Sequence, residues 1–200
     1  MTARTISLIV VLAALALGIA AFAAYQRTTD VFISPIGPVT DSVDDIDVAF
    51  CSQADTRWGK HKLGKTGYTI ASSGCTLCCV AMALSSRSKV IAPDELNRLL
   101  IDAGGFTDGG LIIWKNITVL DGRTVAPVRN SHMAILDNLK ARRPVIAKVA
   151  IQGGIVHWVL IVGVRNGRYR VADPLDDRYS GKYLDAVSDG IYAIRELRGK

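Results

Sequence analysis

The chemistry in this 200-residue chain is concentrated in four cysteines, at 51, 75, 78 and 79, and three histidines, at 61, 132 and 157. Gly74 and Cys75 open an apolar stretch of helical composition. A thiol at a helix N-terminus meets unpaired backbone N–H groups and the positive end of the helix dipole, both of which favour thiolate over thiol. That is the setting of a nucleophile; the alternative is a small buried hydrophobe. His157 begins a predicted strand as His157-Trp158-Val159-Leu160, and Asp173-Pro174 closes the next predicted strand 16 residues further on. Adjacent strands bring two such positions together. A Cys-His-Asp set performs nucleophilic acyl chemistry, in which the imidazole removes the thiol proton and the carboxylate orients the ring.

Cys78 and Cys79 lie three and four residues beyond Cys75, near it on the helix. Three clustered thiols also admit a metal or redox centre, with Cys51 or His157 as a further ligand. A zinc site normally draws two cysteines from a tight knuckle and two more ligands from a distant one. A CxxCC on one apolar helix matches that poorly, so no metal or organic cofactor is expected. In an oxidising compartment Cys51 is a candidate disulfide partner for one of the helix cysteines. His61 and His132 fall in polar stretches and are expected at the surface, whereas Trp58 and Trp114 are expected in the core. Asn116-Ile117-Thr118 matches a glycosylation sequon.

The elements that must position these side chains read as α+β, with helices first and an antiparallel sheet second. Gly74 to Leu84 suits a buried helix capped by Ser72 or Ser73. A second helix starts at Pro93, carries Asp94 and Glu95 in its first turn, and ends before Gly104-Gly105. A third runs from His132 to Arg143, with Ile135, Leu136 and Leu139 as its apolar stripe, and Pro144 ends it. Strands are predicted over Pro144 to Ile151, Val156 to Val164, Arg168 to Ala172 and Ile191 to Glu196. Asn166-Gly167 between two of them is a strong hairpin signal. In such a fold the helices are expected on one side of the sheet.

Half of the residues are hydrophobic, 21% are charged and the mean hydropathy is +0.27, which excludes a disordered chain and a large multidomain enzyme. The net charge of +6 is scattered, with Arg142-Arg143 the longest basic run, so nucleic-acid binding is not expected. From Ile6 to Tyr25 there are 20 residues without a charge, enough to cross a bilayer as a helix, preceded by Arg4 alone. Ala21-Phe22-Ala23 resembles a signal-peptidase site. Residues 1–25 are therefore a signal peptide or a membrane anchor, and both readings put the rest outside the cytoplasmic membrane. Residues 26–47, with Pro35, Pro38 and five aspartates, read as an extended acidic spacer, and residues 48–200 as one domain.

A wider set of motifs carries a resemblance. It comprises Gln53-x-Asp55-x-x-Trp58, Thr69-Ile70 before Gly74-Cys75, Met82, Pro93-x-x-Leu96-Asn97, and the Gly-rich turn before Leu111 and Trp114. Pro144-Val145-Ile146, His157-Trp158-Val159-Leu160 and Tyr169-x-Val171-x-Asp173-Pro174 follow in order. In these the chain resembles the papain-like cysteine peptidases of family thirty-nine, whose founding members remove double-glycine leader peptides. The resemblance implies a papain-like α+β fold, with Cys75 as nucleophile, His157 as general base and acid, Asp173 as its orienting carboxylate and Gln53 as an oxyanion-hole donor. It implies a peptide or protein substrate, and it supports the mechanism better than the substrate. The chain departs from the pattern at Cys78 and Cys79, where small polar residues are usual. That departure keeps two alternatives in view: an inactive peptide-binding module of the same fold, and a thiol amidase or acyltransferase acting on cell-wall peptides.

Overall fold

The computed structural model describes residues 32–38, 40–85, 89–119 and 122–199. The expected signal peptide or anchor at 1–25, and the first part of the spacer, lie outside the described residues. Among the described residues no helix is long and apolar enough to cross a membrane.

A short helix, α1 (Ile70–Ser73), opens with a reciprocal cap: Thr69 Oγ1 accepts from the Ser72 N–H, and Ser72 Oγ accepts from the Thr69 N–H. The serines expected to cap the long helix are thus spent in α1. Helix α2 (Cys75–Leu84) follows directly, with Gly74 as an N-cap that offers no side-chain bond. Leu77 to Leu84 are all buried, as a helix with no polar face requires. Helix α3 (Pro93–Asp102) begins with its proline and two acidic residues as expected. Its C-terminal carbonyls are satisfied by a side chain, since Asn116 Nδ2 donates to the oxygens of Ala103 and Gly104. The amide of the glycosylation sequon is therefore engaged inside the fold. A 3₁₀ helix (Trp114–Val119) leads to strand β1 (Thr124–Val128), which the sequence reading did not anticipate because Pro127 interrupts it. Proline is tolerated there because β1 is an edge strand.

Helix α4 (His132–Lys140) is capped by Ser131. Strands β2 (Val145–Ile151), β3 (Ile155–Arg165), β4 (Arg168–Ala172) and β5 (Ile191–Arg198) complete the order, with a 3₁₀ turn at Leu184–Ala186. The five-stranded sheet has the order β1-β5-β2-β3-β4, and every neighbouring pair is antiparallel. Asn166 and Gly167 both take positive φ, at 50° and 76°, and join β3 to β4 as the hairpin signal predicted.

Helices cover both faces of the sheet, not one. Leu77, Val80 and Met82 of α2 pack with Leu96 and Leu100 of α3 against Ile146, Leu160, Val162 and Ala172. Ile135, Leu136 and Leu139 of α4 pack against Val145, Ala147, Val149, Val159 and Ile161. The reason lies in β2 and β3, where both alternating sets of side chains are apolar, so that each face demands cover. His132, expected at the surface, is drawn in by the same layer: its Nδ1 lies 2.8 Å from the hydroxyl of the buried Tyr169.

The spacer also differs from expectation. From Phe32 onward it is part of the domain, running as a strap along the sheet. Ile33 exchanges backbone bonds with Ile191, Val43 with Val164, and the Ile46 N–H donates to the Val162 oxygen at 2.7 Å. Two of its acidic side chains are paired with cations of the domain: Asp41 faces Lys140, and Asp45 meets Arg170 as well as the Tyr179 hydroxyl. Arg142 donates to the carbonyls of Asp44 and Asp45. Gly163 makes this close approach possible, because a Cβ there would lie 2.5 Å from Asp45 Oδ1 and 3.0 Å from its Cα. Replacing Gly163 by Val is expected to destabilise the protein by about 1–3 kcal/mol through overpacking. Urea unfolding measures this, and an unchanged midpoint would contradict the strap's packing.

Candidate active site

Cys75 is the first residue of α2, and the backbone before it is turned too tightly for a side chain. A Cβ on Gly74 would sit 2.4 Å from the Ile70 carbonyl oxygen. That same oxygen accepts the Gly74 N–H at 2.7 Å, so α1 folds back onto the start of α2 and leaves Cys75 at an uncapped N-terminus. Cys75 is half-buried, whereas Cys51, Cys78 and Cys79 are buried.

His157 is the third residue of β3, opposite Val149 of β2, and Asp173 follows the last residue of β4. The expected juxtaposition is present: His157 Nε2 donates to Asp173 Oδ1 at 2.7 Å, with both side chains buried. The other ring nitrogen, Nδ1, is not engaged by Asp173, and the Cys75 sulfur is near enough to the His157 side chain and the Trp158 backbone N–H for both to favour its thiolate. Three sequence-predicted residues thus meet at one place, His157 bonded to Asp173 and adjoining Cys75.

Asp173 is held from every side. Its Oδ1 also accepts the Leu175 N–H at 3.0 Å, and Lys182 Nζ lies 2.9 Å from Oδ2. Nothing in the sequence pattern singled out Lys182, which sits in a polar loop and reaches Asp173 only through the tertiary fold. Gln53 is buried beside this turn: its N–H donates to the Pro174 oxygen at 2.8 Å. Its Nε2 donates to the Ala71 oxygen at 2.6 Å, four residues before Cys75. Gln53 Oε1 is buried without a hydrogen-bond partner among the described residues. The Ala71 contact fixes the amide's orientation and occupies one of its two N–H donors.

Electrostatics separates the four thiols. Burial alone would raise the Cys75 pKa, but the hydrogen bond and charge of His157, the Trp158 amide and the Thr76 hydroxyl outweigh it and lower the net value. Burial pushes Cys51 up to about 11 and drives Cys78 and Cys79 higher still. Cys75 is therefore the one cysteine poised as a thiolate. His157 is pulled down by burial but raised overall to about 9, first by its bond to Asp173 and then by Cys75. Asp173, despite burial, is brought to about 2 by His157, the Leu175 N–H and Lys182. The shifts together favour a thiolate beside an imidazolium, backed by a carboxylate.

All four cysteines are free, so the disulfide considered for Cys51 is not formed. Among the described residues no group of three or more His, Cys, Asp or Glu side chains converges as a metal site.

The profile of the Peptidase_C39 like family matches residues 45–194, which runs from before α1 into β5 and includes all four predicted site residues. The chain belongs to the peptidase C39-like family. Its fold is similar to a crystal structure of a protein assigned as a C39-like peptidase from Bacillus anthracis, with a TM-score of 0.50 and 13% identity. That similarity covers 80% of this chain and 99% of the other. A search of curated proteins returns no match.

Two outcomes follow for this peptidase-like domain. At pH 6 an ordinary thiol is about 99% or more protonated. A thiol-alkylating agent at that pH is expected to label Cys75 first, with labelling abolished in Cys75→Ala and slowed in His157→Ala, as read by intact-protein mass spectrometry. The second concerns stability. His157 is raised from 6.5 to about 9, so its contribution is fully present below pH 6.5 and is lost as pH rises through 9. Asp173 is lowered from 3.8 to about 2, so its contribution is present above 3.8 and is lost as pH falls through 2. The stability advantage of the wild type over His157→Gln, measured in urea, is expected to shrink between about pH 6.5 and 9; an advantage that grows over that range rules the ion pair out.

Proposed function

We propose that the chain is a cysteine peptidase that hydrolyses peptide amide bonds through Cys75, His157 and Asp173, with Gln53 in the oxyanion hole. The observation that carries this reading is the meeting of a half-buried thiol at an uncapped helix N-terminus with an imidazole that a buried carboxylate holds at 2.7 Å, surroundings that lower the thiol pKa. In the proposed sequence the Cys75 thiolate attacks the scissile carbonyl carbon and charge collects on its oxygen. The Cys75 backbone N–H and the second N–H of Gln53 Nε2 receive that charge. The imidazolium proton on His157 Nδ1 passes to the leaving amine as the C–N bond breaks, leaving a thioester. His157, now neutral, takes a proton from water, which attacks the thioester and releases the acid. Asp173 keeps the ring in the tautomer with its proton on Nε2 throughout. If an amine replaces water in the last step, the same residues perform transfer. The mass of the product separates the two outcomes.

The compartment enters as part of the same proposal. The uncharged run from Ile6 to Tyr25 behind a single arginine supports export or anchoring, with the domain outside the cytoplasmic membrane.

The test is cleavage of an unstructured protein and of a peptide library, with product masses recorded. Cys75→Ala and His157→Ala are each expected to reduce turnover by about a thousandfold or more. Gln53→Ala is expected to lose about 10²–10³-fold, chiefly in kcat, since its donor acts on the transition state. Cleavage that persists in Cys75→Ala rejects the peptidase assignment, and specific peptide binding without cleavage by the wild type favours the binding-module alternative.

A further inference from the structure

The Asp173 carboxylate carries a third polar contact that the proposed reaction does not use. Lys182 Nζ lies 2.9 Å from Asp173 Oδ2, on the oxygen opposite the one that accepts from His157. The same ammonium reaches Asp176 Oδ1 at 2.7 Å, and Asp176 Oδ2 accepts from Ser180 Oγ at 2.9 Å. The backbone is anchored as well: the Val171 N–H donates to the Lys182 oxygen at 3.0 Å, and the Asp176 N–H donates to the Asp173 oxygen at 3.0 Å. Residues 173–182 thus form a loop that leaves β4 at Asp173, turns over Pro174, and returns to place a cation on the carboxylate from which it started.

We propose that Lys182 is a positioning residue of the active site, clamping Asp173 Oδ2 so that Oδ1 stays aligned with His157 Nε2 and drawing part of the carboxylate's charge away from the imidazole. This rests on the peptidase reading of the same site. A carboxylate rotates readily about its terminal torsion, and an orienting group that turns away leaves the histidine free to take the wrong tautomer. Oδ1 already holds two donors, His157 and the Leu175 N–H. Lys182 occupies Oδ2, so rotation would break three contacts at once. The charge acts in the opposite sense to Asp173. A cation beside the carboxylate weakens its pull on the imidazolium, which keeps His157 acidic enough to surrender its proton to a leaving amine.

The charged and titratable groups around this point are few. Asp173 faces Lys182, His157 and, at longer range, Cys79; His157 faces Asp173 and Cys75; Lys182 faces Asp173 and Asp176. Removing the lysine charge therefore raises the proton affinity of the whole thiol–imidazole pair. Removing the Asp176 charge frees Lys182 to act more strongly on Asp173 and lowers it. A residue that only braced the loop would change the amount of active protein and leave the titration in place.

The experiment is the rate of Cys75 alkylation by iodoacetamide as a function of pH, on the full chain, with folding checked by far-UV circular dichroism. The wild type is expected to show two steps, thiolate formation at acidic pH and loss of the imidazolium proton in the alkaline range. In Lys182→Met both steps are expected to move up by about one pH unit, with turnover down about tenfold, and Lys182→Arg is expected to return both steps close to the wild-type position. In Asp176→Asn both are expected to move down, which keeps the proposal testable if Lys182→Met does not fold. If the wild type lacks the acidic step, the thiolate and imidazolium assignment fails, and the role of Lys182 with it. If the wild type shows both steps and the folded variants leave them unmoved, the role of Lys182 alone is overturned.

Discussion

A carboxylate and an imidazolium buried against each other are costly to remove from water, by several kcal/mol per ion, and such a pair survives only when its remaining polar atoms are also satisfied. His157 and Asp173 meet that condition through contacts from four directions: the Cys75 sulfur, the Leu175 N–H, the Lys182 ammonium and one another. Each of these comes from a different stretch of chain. Helix α2 must begin directly after Gly74, β3 and β4 must keep their register past Leu160 and Ala172, and the loop after Pro174 must return at Lys182. The domain is organised so that these three conditions hold together.

The same arrangement sets one thiol apart from the other three. Cys51, Cys78 and Cys79 are enclosed in the core between α2 and the sheet, where a thiolate has no partner and burial raises the pKa. Cys75 differs by lying at the first turn of α2, beside the Trp158 amide and the imidazole. The thiols at 78 and 79, where small polar residues are usual in the family pattern, sit as small apolar groups in a packed helix.

The legible parts of the fold were those with a local cause. The apolar run of α2, the proline and acidic residues opening α3, the stripe of α4 and the Asn166-Gly167 turn each act within a few residues, and all appear as expected. Strand β1 was missed because Pro127 contradicts strand propensity everywhere except at an edge. The helices were expected on one face because the sequence carries no record of which alternate set of β2 and β3 side chains meets which helix. The acidic residues looked like a solvated tether, since the cations that meet Asp41 and Asp45 lie about a hundred or more positions away, at Lys140 and Arg170.

Residue types and spacing by themselves determined the family and singled out Cys75, His157 and Asp173 as the candidate site. A thiol after glycine at a helix start and a histidine one hairpin from an aspartate are local patterns that survive without coordinates. Tertiary structure alone decided that His157 Nε2 meets Asp173, which cysteine has surroundings that favour its thiolate, where the Gln53 amide is tied, and that Lys182 holds the far oxygen of Asp173. The physical reason is range. Helix starts and turns are set by neighbours along the chain, whereas protonation, orientation and desolvation are set by neighbours in space, and those exist only once the sheet and its covering helices have closed.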